Sequence, residues 1–330
     1  MGFTVQEAVK VLGQKFLLQE GIAGVSHHSK ELIVYAESQE AAERVPSTLM
    51  DLPVRVVVSG KFRTLEAIPA AKTGRTLTGI LASRTERWRP IPGGVSIGSV
   101  LITAGTNTGR VYDTAAGRKL FLSNRHVFWG ARGTPIVSPG KYDGGSDPSD
   151  RVAVIERWAE IRAPPEANRI DAALGLPTSQ DIVSDEVLDI GVVTSVREAT
   201  VGMRIAKSGR SSNYAEATVQ DTNATVKVSG YDVGSGEAIF EDQIITDYLG
   251  APGDSGSCCV EVASKAAVGL LFAGSSELTV INKMTNVTRL LGVSLSPAGV
   301  PGAPPSAVPL LGFVPLALGM ILFGASSKGV

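Results

Sequence analysis

From residue 95 onward the chain is a succession of short runs rich in Val, Ile and Leu, broken every few residues by Gly, Pro, Asn, Asp or Ser. "SVLITA", "KLFLSNRHV", "RVAVIERW", "DAALGL", "DIGVVTSV", "ATVQDT", "ATVKVSG", "EDQIITDY", "SCCVEV" and "AVGLLFAG" each have the length and branched side chains of a strand. Many short strands at close spacing predict an all-β sandwich or barrel. The 37 glycines and the scarcity of aromatic residues favour the same turn-rich class over a helical bundle.

The text before this region has another character. Apolar positions at Val5, Ala8, Val9, Val11, Leu12, Phe16 and Leu17 have the spacing of an amphipathic helix. "GIAGVSHH" and "ELIVYAE" flank Ser29-Lys30 as a hairpin. "SQEAAERVPSTL" begins as a helix, and "VRVVVSG" is a further strand. Residues 1–65 are therefore expected to form a small α-β-β-α-β unit. Residues 66–90 form a linker, and 91–293 the β-rich domain. Residues 294–306 are an uncharged Pro/Gly linker, followed by an uncharged apolar run over 307–325, "AVPLLGFVPLALGMILFGA". At about 1.5 Å per residue this run approaches the roughly 30 Å of a bilayer core. It is expected either to contact a membrane or to pack between subunits of a homo-oligomer.

Charge and cysteine usage exclude several functions. Basic and acidic residues balance, 31 against 32, and no basic tract exists to follow a phosphate backbone, so no nucleic-acid partner is expected. Cys258 and Cys259 are the only cysteines and are adjacent, which rules out a disulfide framework. They suit a buried strand in a reducing compartment. The start, "MGFTVQEAVKVLGQKF", carries neither an apolar core nor a cleavage site, so no secretory signal is expected. The expected location is cytoplasmic, or on a membrane from its cytoplasmic side. His27 and His28 close a strand without other ligands nearby. Asp143, Asp147 and Asp150, in "YDGGSDPSD", miss the spacing of a calcium loop. No metal and no cofactor are expected.

The stretch "YLGAPGDSGSCCV" sets Asp254-Ser255 between Gly253 and Gly256. Those residue types make an ordinary surface turn. They also make a loop that presents one hydroxyl as a nucleophile beside bare backbone N–H groups. A serine needs a base, and the base needs an orienting group. Of three histidines only His126 lies in the β-rich region, at the end of the strand "LFLS". Asp171, in "NRIDAALGL", places a carboxylate at the mouth of an apolar strand, an odd place for a charge without a partner. Asp189, in "VLDIGVV", is the other acid at a strand. The order is His, Asp, Ser. No histidine follows Ser255, which excludes the order Ser, acid, His.

"LSNRHV", "DAAL" and "GDSGS" resemble the histidine, aspartate and nucleophile motifs of trypsin-like serine peptidases, in that family's order. "VGLLFAGS" resembles the strand lining the substrate cleft. "RPIPGGVSIGSV", "SPGKYDGGSDPSDRVAVIERW" and "FEDQIITD" are similar to the intracellular bacterial and archaeal members and the plant narrow-leaf proteins, over about residues 1–295. The resemblance implies a mainly β, chymotrypsin-like double β-barrel, preceded by the small α/β unit and followed by the apolar tail. It implies a serine endopeptidase acting on protein or peptide substrates through an acyl-enzyme. His126 would be the base, Asp171 its orienter and Ser255 the nucleophile. The backbone N–H groups of Gly253 and Ser255 would form the oxyanion hole, and Leu249, Ala273 and Gly274 would line the primary pocket. The alternative is a catalytically silent scaffold that binds peptides or assembles through its tail. Ser257 departs from the pattern, standing where secreted members have glycine. Asp254 departs too. With no new N-terminus to pair with, it needs an arginine or backbone N–H groups, or the loop waits for something that orders it.

Overall fold

The computed structural model describes residues 5–65 and 83–297. Most of the 66–90 linker, most of the 294–306 linker and the whole 307–325 run lie outside the described residues. Within them no helix is long and apolar enough to cross a membrane.

Two β-barrels form the body. In the first, the segment 105–113 pairs with Ser96–Ser99 at its start and with Lys119–Ser123 at its end. The ring continues through Ala173–Pro177, Arg151–Trp158 and Pro135–Val137, and returns to Ser96–Ser99. The second ring runs through Arg204–Gly209, Asn213–Ser229, Glu237–Asp247, Leu278–Lys283, Ala267–Gly274 and Cys258–Glu261, and closes on Arg204–Gly209. Every neighbour in this ring is antiparallel, and closure leaves no edge to aggregate. This is a chymotrypsin-like double β-barrel.

Alternation along the strands sorts side chains into separate cores. Ile97, Phe121, Val127, Phe128, Ile136 and Ile155 fill the first barrel. Ile205, Val219, Ile244, Cys259, Val268 and Ile281 fill the second. Leu122, Leu174, Cys258, Val260, Leu270 and Met284 join the two. The adjacent cysteines thus point to opposite faces of one strand, both buried and unbridged. Burial pushes the Cys258 thiol up to about 12, which leaves it a small hydrophobe rather than a reactive group.

The N-terminal unit holds a helix, Val5–Phe16, and the hairpin Ile22–His28/Glu31–Ala36, turned at Ser29 with φ +53°. A short helix, Gln39–Glu43, starts where Ser38 Oγ accepts from Ala41 N at 3.2 Å. The strand Leu52–Val58 runs parallel to Glu31–Ala36. Its sheet is continuous with the second barrel. Gly24 and Val25 pair with Val226 and Thr225 of the long strand. Gly24 must be small, since a Cβ there would meet the Thr225 carbonyl oxygen at 2.9 Å. Phe16, Leu17, Ile22, Val25, Leu32 and Val34 form one small core, while Ala23, Ile33 and Tyr35 pack toward Phe240 and Phe272 of the barrel.

Several runs differ from the sequence reading, among them "DIGVVTSV", which is strand only at Gly191–Val192. "SVLITA" is not a strand. Its apolar Leu101 is 61% exposed, Ile102 closes a turn on the Ser99 carbonyl, and the strand lies earlier, in Ser96–Ser99. "ATVQDT" and "ATVKVSG" are one 17-residue strand, Asn213–Ser229. The polar residues between them bulge without ending it, because Asp221 accepts from the Tyr35 hydroxyl at 2.7 Å and from Asn223 N at 2.9 Å.

Candidate active site

His126 follows the strand Lys119–Ser123 in a turn, and Asp171 lies just before Ala173–Pro177. These two strands are neighbours in the first barrel, with Ser123 opposite Ala173, so their ends bring the imidazole and the carboxylate together. His126 Nδ1 and Asp171 Oδ2 are 2.5 Å apart, with Asp171 fully buried and His126 5% exposed. Asp171 Oδ1 accepts from the backbone N–H of Arg125 at 2.6 Å and of His126 at 3.2 Å. Oδ2 also accepts from the Tyr231 hydroxyl at 2.6 Å. The main chain of Asp171 is fixed by side-chain amides, its N–H donating to Asn282 Oδ1 and its carbonyl accepting from Asn124 Nδ2. Burial opposes the charge on this carboxyl. The imidazole beside it, the Tyr231 hydroxyl and the His126 N–H outweigh burial and hold its pKa below the ordinary carboxylate range.

Ser255 enters from the second barrel. Its loop precedes the strand Cys258–Glu261 and is clamped by both barrels. Thr106 N donates to the Ser255 carbonyl at 2.7 Å, and Thr106 Oγ1 to the Gly253 carbonyl at 2.9 Å. Gly256 N donates to the Leu271 carbonyl at 2.9 Å. Gly253 and Gly256 have φ of +97° and +98°. A Cβ on Gly256 would stand 2.1 Å from the Thr106 carbonyl oxygen. The glycines are therefore demanded by backbone angle and, at Gly256, by space as well. Ser255 Oγ donates to the Phe272 carbonyl at 3.2 Å. Ser257, the departure from the glycine pattern, is buried, and its hydroxyl donates to the Asp254 carbonyl at 2.7 Å.

The partner of Asp254 is a lysine, not the expected arginine. Lys207 Nζ lies 2.9 Å from Asp254 Oδ2, and both side chains are fully buried. Backbone N–H groups supply the rest, as the sequence allowed. Ser211 N and Ser212 N donate to Oδ1 at 2.8 and 3.2 Å, and Ala251 N to Oδ2 at 2.9 Å, with the Ser212 hydroxyl also on Oδ2. Gly209 lets the chain pass, since a Cβ there would meet Asp254 Oδ1 at 2.4 Å. Burial again opposes the charge on Asp254, and Lys207 with the Ser212 hydroxyl outweighs it and lowers its pKa. Burial draws the Lys207 ammonium below the usual lysine value, with Asp254 pulling it back. The Gly253–Gly256 loop is thus ordered by a cation built into a barrel strand.

Of the remaining sequence candidates, Leu249 is buried in the second barrel's apolar cluster, while Ala273 and Gly274 lie on the strand beside Ser255. Asp189 carries φ +61° and pairs with Arg84. Asp143 pairs with Arg210 at 2.5 Å and Asp147 with Arg151 at 2.5 Å, and among the described residues no cluster suits a metal. Sequence reasoning missed Tyr231, Lys207 and Leu65. Lys207 could have been found by the argument that singled out Asp171, because "RIAKSG" places a charge amid small and apolar strand residues. Tyr231, after a strand in "SGYDVG", and Leu65, in "FRTLEA", carry no such signal.

No family model matches the chain, and no curated protein matches it. The solved structures it resembles are trypsin/chymotrypsin-like serine proteases. It is similar to Thermobifida fusca Protease A, at 19% identity and a TM-score of 0.47, covering 62% of this chain and 98% of that one. It is similar to a Nocardiopsis protease, at 21% identity and 0.47, with 62% and 98% covered. It is also similar to a Cellulomonas bogoriensis chymotrypsin, at 17% identity and 0.45, with 62% and 97% covered.

Proposed function

We propose that the chain is a serine endopeptidase that hydrolyses peptide bonds through His126, Asp171 and Ser255. The observation that carries this reading is the buried 2.5 Å contact between His126 Nδ1 and Asp171 Oδ2, in the barrel whose Thr106 clamps the Gly253–Gly256 loop. A carboxylate held charged by four donors fixes the imidazole with Nδ1–H toward Asp171 and stabilises the imidazolium that forms during reaction. Nε2 then takes the Ser255 proton as Oγ attacks the substrate carbonyl carbon. The Gly253 and Ser255 N–H groups receive the oxyanion, in a loop that costs no reorganisation because Asp254 is already anchored by Lys207. Collapse breaks the C–N bond, and the imidazolium returns its proton to the leaving amine. Water repeats the sequence on the acyl-enzyme and releases the acid. No metal or cofactor enters this chemistry.

Hydrolysis of a fluorogenic peptide set by the full chain, by Ser255→Ala, by His126→Ala and by the double variant tests the reading. Each single replacement is expected to lower kcat by roughly 10⁴- to 10⁶-fold, and the double to cost little more, since the groups act as a unit. A silent peptide-holding scaffold would give no turnover in any of the four. Hydrolysis that survives Ser255→Ala would overturn the assignment.

A further inference from the structure

The strand Arg63–Thr64 lies against the cleft as a peptide would. Thr64 is opposite Ala273 and Arg63 opposite Gly274, antiparallel on the strand beside Ser255. On the other side Arg63 pairs with Ser229. Ahead of it Phe62 is fully buried, its carbonyl accepting from Ser229 N at 3.1 Å and its ring edge-on to Tyr35 at 6.3 Å between centroids.

Leu65 comes next, and three of its contacts converge on the site. Its carbonyl oxygen accepts from Gly253 N at 2.7 Å, the N–H assigned above to the oxyanion hole. Its own N–H points to the Phe272 carbonyl at 3.4 Å, the same oxygen that takes the Ser255 hydroxyl. Its side chain, 6% exposed, joins the apolar cluster of Leu249, Leu271 and Met203, and its Cδ1 is 3.7 Å from where a Cβ on Gly274 would stand. Ser255 beneath is fully buried. Strand addition is a common way to hold a peptide. Packing alone accounts for the strand pairing, but it does not require a carbonyl on the Gly253 N–H and an aliphatic side chain beside Leu249 at the same residue.

We propose that the peptide bond following Leu65 is the chain's own first substrate, cut in cis by Ser255, and that Phe62–Leu65 then stays in the cleft as a product-like inhibitor. The proposal rests on the serine-peptidase reading. Ser255 Oγ bonds to the Leu65 carbonyl carbon while its proton passes to His126. The carbonyl oxygen becomes the oxyanion on Gly253 N–H. The Leu65 C–N bond then breaks, and the proton on His126 goes to the amine of residue 66, which becomes a new N-terminus. Water hydrolyses the Leu65 ester, giving its proton to His126 and restoring Ser255. The new Leu65 carboxylate keeps the Gly253 N–H contact, and the N-terminal unit stays attached through Gly24 and Val25 on the long barrel strand. The same placement makes an aliphatic residue before the cut bond the preferred substrate.

The full chain, its Ser255→Ala variant, Leu65→Asp and Leu65→Met are purified, and intact mass and peptide mapping are followed over time and over a dilution series. The expected result is one cut after Leu65 in the parent, at a rate independent of concentration, retained in Leu65→Met and absent from Ser255→Ala and Leu65→Asp. A fluorophosphonate probe is then applied to each. Leu65→Asp, whose charged side chain leaves the apolar site, is expected to label at Ser255 roughly ten-fold faster than the cut parent, because an occupied cleft lowers the competent fraction. A parent that labels at Ser255 but stays uncut overturns the self-cleavage and leaves the peptidase reading standing. A parent neither cut nor labelled, with Leu65→Asp equally inert to the probe, overturns both. A cut elsewhere, or one that slows on dilution, overturns the cis assignment of Leu65.

Discussion

Asp171 is the residue whose surroundings say most about its task. It has no exposure and accepts from four groups, three of which hold the imidazole or the turn that carries it. Asp171→Asn is expected to leave the fold intact and to lower kcat by roughly 10⁴-fold, by fixing the wrong tautomer. Asp189→Asn, which weakens the pair with Arg84, should change kcat far less. The reverse ranking would move the role to Asp189. Lys207 gives a stability prediction. Lys207→Met leaves the buried Asp254 charge without its cation and should cost about 3–5 kcal/mol in denaturant unfolding, part of it recovered when Asp254→Asn is added. Fully additive losses would show that the two do not act as a pair. Both carboxyls titrate below the ordinary value of roughly 3.9, so their contribution to stability is complete above that pH and is lost as pH falls through the lowered native values. Thermal midpoints of the Ser255→Ala chain, measured from pH 6 down to pH 2, should hold near-level to about pH 4 and then fall. The fall should be shallower in Asp171→Asn and Asp254→Asn.

Among the elements, the Gly253–Gly256 loop and the strand ends that carry His126 and Asp171 were the parts most legible in the sequence. A hydroxyl between glycines, a histidine ending an apolar strand and a carboxylate at a strand mouth each violate local expectation, and such violations mark sites. The loop demands glycine at Gly256 for a physical reason, a carbonyl 2.1 Å from the missing Cβ. Gly256→Ala is therefore expected to displace the loop from Thr106 and abolish turnover, while the barrels stay folded by circular dichroism. Unchanged kcat would mean that the clamp is looser than its geometry. Less was legible where contacts join distant parts of the chain. Nothing in "SGYDVG" says that Tyr231 reaches a carboxylate 60 positions earlier. Nothing in "FRTLEA" says that Leu65 meets Gly253. The bulged strand Asn213–Ser229 was divided in the reading because Asp221 and Asn223 are turn residues. Tyr35, from the N-terminal unit, supplies the partner that keeps Asp221 inside the sheet.

At the scale of the molecule, short branched runs between Gly and Pro made the mainly β class readable, because period-2 patterning is local. Closure into two rings, and the joining of residues 22–58 to the second ring, depend on which edges meet, and one sequence carries no direct mark of that. The apolar run at 307–325 belongs to this scale as well. Its lack of charge motivates the proposal that it tethers the chain to a membrane. Carbonate extraction of the full chain and of a 1–300 truncation checks this, with only the full chain expected in the pellet. A soluble full chain of defined oligomeric size would contradict it. The central claim is that two barrels bring one serine, one histidine and one aspartate together for acyl transfer. Labelling of the full chain and its Leu65→Asp variant with a fluorophosphonate, followed by peptide mapping, tests it most directly. The account predicts a single adduct on Ser255 that disappears in His126→Ala. An adduct on another residue, or labelling of Ser255 that is indifferent to His126, would contradict it.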